Sequence, residues 1–97
     1  MIDMDPSNHL AEIARLAYDR RLLDSAGGNF SMRVGEQVYC TPRFAGSKKR
    51  WQLEAGDILI VDLDGNLIEG EGNLSREIRM HLGIYRAFPE ADRKSVV

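Results

Sequence analysis

Apolar positions along this chain change their period several times, and each change marks an element. Leu10, Ile13, Ala14 and Ala17 recur at intervals of three and four, the spacing that turns one side of a helix toward a core. Asp5-Pro6 supplies the start, an acceptor for the first free N–H groups followed by a residue that lacks one. The pattern predicts a helix over residues 6–23, ended near Gly27-Gly28. Residues 30–34 and 37–41 then favour extended structure on either side of Gly35-Glu36, which predicts a hairpin closed by Thr41-Pro42.

Residues 44–50 read as a surface loop, and Trp51 and Leu53 as part of a short helical turn before Gly56. Residues 57–62 form the clearest strand, with Ile58-Leu59-Ile60-Val61 bracketed by acids. A continuous apolar run of this kind predicts burial on both faces, hence a sheet covered from either side. Asp64-Gly65-Asn66 is a tight turn, and Leu67-Ile68 begins the return. From Ser75 a second helix carries Ile78, Leu82, Tyr85 and Phe88 on one stripe and stops at Pro89. Residues 94–97 read as a strand beginning, so the expectation is the N-terminal part, residues 1–97, of one larger domain.

Composition narrows the function without naming it. The 97 residues suit one domain, and an apolar fraction of 43% with 29% charged is that of an ordinary soluble protein. A net charge of −2 argues against a nucleic-acid or anionic-lipid partner, and Lys48-Lys49-Arg50 reads first as a solvated loop. Cys40 is the single cysteine, which excludes an internal disulfide and fits a reducing cytoplasm. With no apolar run long enough to span a bilayer, the chain reads as cytoplasmic, without a membrane role.

Two motifs carry candidate chemistry. Gly27-Gly28-Asn29 lies where a helix gives way to a strand, and bare N–H groups there can approach an anion. Taken alone such a stretch is more often a helix C-cap and turn than an anion site. Ser75-Arg76-Glu77 opens the second helix, offering a hydroxyl, free N–H donors and one carboxylate at the positive end of the helix dipole. Arg33 reads as structural, paired with an acid; Trp51 and Tyr85 read as packing residues, and Cys40 as a small buried one. Asp57, Asp62 and Asp64 are explained by turn chemistry.

In order along the chain stand Gly28-Asn29-Phe30-Ser31-Met32-Arg33, Thr41-Pro42, Asp57-Ile58-Leu59-Ile60-Val61-Asp62-Leu63-Asp64-Gly65, Glu69-Gly70, Ser75-Arg76-Glu77, and His81 with Ile84-Tyr85. By this ordered set the chain resembles the class II aldolase/adducin family, over nearly its whole length. The resemblance implies an α/β protein, a three-layer α/β/α class II aldolase-like fold around a mainly antiparallel sheet, here truncated at the C-terminus. It implies a homotetramer and a metal-dependent lyase acting on a small phosphorylated or carboxylated sugar-like substrate through an enediolate. Zn²⁺, or another divalent metal, would act as the Lewis acid. Gly28, Asn29 and Ser75 match phosphate-binding positions of the family, and Glu77 matches its catalytic acid/base. Glutamate there favours an aldolase over the epimerase branch, where aspartate is common.

The chain departs from the family pattern in three places. The metal-binding histidines of the family come in a His-x-His pair after the strand that starts near Ser95, and this sequence stops at Val97. Only His9 and His81 are present, so no tightly bound metal is expected on this stretch alone. Glu77 and His81, four residues apart, could chelate an ion as a pair. The family histidine equivalent to His81 is not a ligand, which leaves hydrogen bonding or packing at the helix surface. Arg76 replaces a small hydroxyl residue, and can bind an anion or point to solvent. The loop after Thr41-Pro42 is longer than usual, which makes Gly46-Ser47 the candidate for its anion contact. An adducin-like binding module and an inactive fragment are the alternatives to the lyase.

Overall fold

A computed structural model describes residues 5–21, 29–43, 45, 49–70, 74, 78–88 and 95–96. Helix α1 spans Pro6–Asp19, shorter than the sequence spacing predicts. The Asp5 carboxylate caps it by accepting from Asn8 N–H at 3.3 Å. At the other end Arg20 N–H reaches Leu16 O and Arg21 N–H reaches Tyr18 O, and Arg21 turns left-handed at φ 61°. This tight last turn ends the helix before Leu23, and residues 22–28 lie outside the described residues.

Five strands form one antiparallel sheet in the order β4-β3-β2-β1-β5. β1 (Ser31–Val34) and β2 (Gln37–Cys40) make the expected hairpin around Gly35-Glu36, with Gly35 at φ 64°. A glycine with positive φ at the first loop position matches the twist of the flanking strands. β3 (Leu59–Asp62) pairs with β2 from Cys40↔Leu59 to Gln37↔Asp62. β4 (Leu67–Glu69) returns along β3 with a register shift at Ile60/Val61, and β5 (Ser95–Val96) adds to the far side of β1.

Pairing register sorts side chains onto two faces, because alternate residues point to opposite sides. Met32, Val34 and Tyr39 face α1 and join Leu10, Ala11, Ala14, Phe30, Trp51, Leu53 and Ile58 in one core. Val38 and Val61 face the other way and pack with Leu82 and Tyr85 of α2 (Ile78–Ala87). β3 is buried on both sides, with Leu59, Ile60 and Val61 all inside. Helix, sheet and helix thus make three layers, as the apolar run of β3 predicts.

Five details differ from the sequence reading. Ala45, read as part of a surface loop, is helical and buried in the core on the α1 side. Asp57 belongs to a 3-10 turn over Ala55–Asp57 and not to the strand, because its carboxylate accepts from Glu54 N–H at 3.0 Å. Trp51 and Leu53 are buried outside any helix; Arg50 and Trp51 are consecutively left-handed, at φ 50° and 60°. Phe88 follows the last helical residue and is 54% exposed, so the buried stripe of α2 ends at Tyr85. His81, expected at the helix surface, is fully buried. Pro89 lies outside the described residues.

The β3–β4 turn is held by one carboxylate. Asp62 accepts from Asp64 N–H and Asn66 N–H, each at 2.9 Å, and from the Asn66 amide at 3.1 Å. Arg86 of α2 then donates to Leu63 O and pairs with Asp64. The Asn66 backbone and side-chain donors hold the Asp62 carboxyl below its usual range. Asp57 is lowered too, by Glu54 N–H first and then by the Lys49 ammonium at 3.0 Å. A carboxylate whose folded pKa is depressed stabilises the fold above its unfolded pKa of about 4, and the benefit disappears as pH falls through the folded value. The melting temperature should therefore decline as pH drops below about 4, and Asp62→Asn should flatten that acid limb. Melting curves of both proteins across this range check it; identical slopes would count against the turn carboxylate.

Candidate active site

Of the residues singled out by sequence, Asn29 is described; Gly28, Gly46, Ser47, Ser75, Arg76 and Glu77 lie outside the described residues. Their chain neighbours are informative. Asn29 is half-buried and immediately precedes Phe30. Phe30 N–H donates to Thr41 Oγ1 at 3.0 Å, Thr41 N–H donates to Phe30 O at 3.0 Å, and the Thr41 hydroxyl donates to the same carbonyl at 3.3 Å. This double latch carries the β1–β2 ladder past its last strand pair, and Thr41 is 1% exposed. Pro42 follows and forms an isolated antiparallel bridge with Leu74. Phe30, Thr41-Pro42 and Leu74 therefore meet at one end of the hairpin.

A second connection joins the same segment to α2. Ser31 Oγ lies 2.5 Å from His81 Nδ1 and 2.8 Å from Tyr85 OH, all three residues being at most 1% exposed. Two proton arrangements satisfy the chain. The tyrosine donates to serine and serine to histidine, or histidine donates to serine and serine to tyrosine. Arg33, on the same face of β1, donates to Tyr85 O at 3.2 Å and to Gly35 O at 2.7 Å. The residues flanking Ser75-Arg76-Glu77, Leu74 before and α2 after, are thus both tied to the segment that starts at Asn29.

Ser31 is the functional candidate that the sequence reading missed. Its signal was position: a hydroxyl on an inward-facing strand site, opposite the small buried Cys40. Cys40 itself is inert, because burial pushes its thiol up to about 12 and Sγ donates to Leu59 O at 3.6 Å. Among the described residues no three of His, Cys, Asp and Glu converge where they could hold a metal ion. His81 Nδ1 is engaged by Ser31. The described residues do not by themselves fit a zinc centre. Among them, no helix is long and apolar enough to cross a membrane.

Comparison with known proteins agrees with this architecture. Residues 8–93 match the family of class II aldolase and adducin N-terminal domains. An L-fuculose phosphate aldolase of Methanococcus maripaludis (strain C7) is 42% identical over 83 residues, covering 86% of this chain and 43% of the relative. A methylthioribulose-1-phosphate dehydratase of Marinobacter nauticus is 32% identical over 82 residues, covering 84% of this chain and 38% of the relative. A solved L-fuculose 1-phosphate aldolase superimposes with a TM-score of 0.75 at 27% identity, covering 89% of this chain and 40% of that one. The chain belongs to the class II aldolase/adducin family, with the fold of its aldolases. It spans about two fifths of the length of the relatives it matches.

Proposed function

We propose that this chain is the N-terminal part of a single class II aldolase-type domain, and that the whole protein is a lyase. Its substrate would be a small sugar-like molecule carrying a phosphate or carboxylate. Gly28, Asn29, Gly46, Ser47, Ser75 and Arg76 would bind the anionic group, and Glu77 would move the proton beside the carbonyl. Glycine N–H groups and a helix start are suited to this, since a phosphate needs donors converging from separate segments.

One observation carries the reading. The residues on both sides of Ser75-Arg76-Glu77 are bound to the segment beginning at Asn29, through the Pro42–Leu74 bridge and the Ser31–His81 hydrogen bond. The two motifs then have a physical reason to share a site. The named relatives supply the substrate class, two kinds of sugar phosphate. Zn²⁺ or another divalent ion enters by way of the family, with its histidine ligands expected after Val97, and no step here is assigned to it.

The test uses full-length protein supplied with divalent metal. L-fuculose 1-phosphate and methylthioribulose 1-phosphate are each followed by ³¹P NMR. The expected result is carbon–carbon cleavage of the first, with release of a three-carbon ketose phosphate. Loss of water from the second, without cleavage of the first, would replace the aldolase reading with a dehydratase. Failure to bind or turn over either one would favour a non-catalytic binding module.

A further inference from the structure

Helix α2 is fastened to the sheet by two different means. Leu82 and Tyr85 pack on Val38 and Val61, an apolar contact that alone would hold the layers together. Beside it, three polar side chains are buried in one place: Ser31, His81 and Tyr85. Taking three such groups out of water is costly, and hydrocarbon at the same positions would give cohesion without that cost. What hydrocarbon contacts lack is direction. Apolar surfaces tolerate small slides and rotations, whereas hydrogen bonds at 2.5 and 2.8 Å allow one axial position and one rotation of the helix.

The location of the lock is specific. Ser31 stands two residues after Asn29, and His81 stands four residues after Glu77 in the sequence. His81 and Tyr85 are themselves one turn apart, so a single strand hydroxyl engages two successive turns of α2. Arg33 adds a third fastening at Tyr85 O, from the next inward position of β1.

We infer that Ser31, His81 and Tyr85 are positioning residues: they set the distance and angle between the segment beginning at Asn29 and the start of α2. The inference rests on the proposed function for what is being positioned. A displacement of about 1 Å at a reacting pair can cost on the order of a hundredfold in rate, so loosening this lock should be read out in catalysis as well as in stability.

The experiment compares Ser31→Ala, His81→Leu, His81→Asn and Tyr85→Phe in the full-length protein. The packing control is Val38→Ala, and the site control is Glu77→Gln. Inorganic phosphate affinity is taken from ³¹P NMR titration, and kcat from cleavage of L-fuculose 1-phosphate. Ser31→Ala and His81→Leu should weaken phosphate binding severalfold and lower kcat about tenfold or more. Tyr85→Phe, which keeps the ring and its packing, should do the same to a smaller degree, and it serves if Ser31→Ala does not fold. His81→Asn, whose amide reaches the place of Nδ1, should recover most of both. Val38→Ala should lower the melting temperature and leave both readouts near wild type.

If the folded lock variants keep wild-type phosphate affinity and kcat, the residues are structural only and the inference is overturned. Glu77→Gln separates this from the reading beneath it, because it should remove kcat and spare phosphate binding. Retained turnover in Glu77→Gln would end the proposed function, and phosphate affinity in the lock variants would then decide the lock by itself. Wild-type protein that neither binds phosphate nor turns over substrate overturns both.

Discussion

Replacing Trp51 by alanine should destabilise the protein by about 3–5 kcal/mol, enough to lower the melting temperature of a domain of the relatives' length by roughly 6–20 °C. The indole is 1% exposed, and meets Phe30 edge-on with ring centroids 5.7 Å apart and planes at 87°. It belongs to one buried cluster with Leu10, Ala14, Leu53 and Ile58, so truncation would leave a cavity in the core on the α1 side of the sheet. The backbone reinforces the point. Arg50 and Trp51 are both left-handed, at a cost of about 1–2 kcal/mol each for residues with a Cβ. Burying an indole returns about 4–6 kcal/mol from the roughly 150–250 Å² it hides, which outweighs that strain.

The same balance predicts an unusual order of variants. Trp51→Gly should be no worse than Trp51→Ala, because glycine relieves the strain that alanine keeps. Arg50→Gly, at an exposed site, should raise stability slightly. Calorimetric melting of the three variants checks this, and a loss of under about 5 °C for Trp51→Ala would mean the ring is not the keystone of this core. Because Phe30 follows Asn29 directly, Trp51 also braces the segment on which the proposed anion site depends.

Much of this architecture was legible in the chain, and what was not has physical reasons. The Leu10-Ile13-Ala14-Ala17 stripe and the apolar run before Asp62 announce two periods, three-and-four and continuous, which become α1 and the doubly buried β3. Gly35-Glu36 and Asp64-Gly65-Asn66 named their turns through glycine and short polar side chains. The left-handed pair at Arg50-Trp51 was hidden, since neither residue advertises positive φ and tertiary burial of the indole decides it. Phe88 looked like the next member of a periodic stripe, but α2 ends at Ala87. The buried polar lock was half visible. His81 and Tyr85 stand at helical spacing, while their meeting with Ser31 across 50 and 54 residues depends on sheet register. Family resemblance supplied the roles proposed for Gly28, Ser75 and Glu77; spacing by itself yielded only an anion-friendly turn and a helix start.

Glu77→Gln should leave a folded protein that binds inorganic phosphate as well as wild type and has lost about 10²–10⁴-fold in kcat. Glutamine keeps the size and hydrogen-bonding reach of the side chain but can neither take nor return a proton at neutral pH. A carboxylate assigned to proton transfer should therefore lose the chemical step and little else, whereas an anion-binding residue would lose affinity. Proton exchange is the direct measure. In D₂O, wild-type protein given the three-carbon ketose phosphate alone should replace the hydrogen on the carbon beside the carbonyl, followed by ¹H NMR. Glu77→Gln should not. Metal content by elemental analysis should stay close to wild type, since the proposed function assigns Glu77 to proton transfer. An unchanged exchange rate would remove Glu77 from its role. A parallel fall in phosphate affinity would reassign it to substrate binding, and a different group would then have to carry the proton.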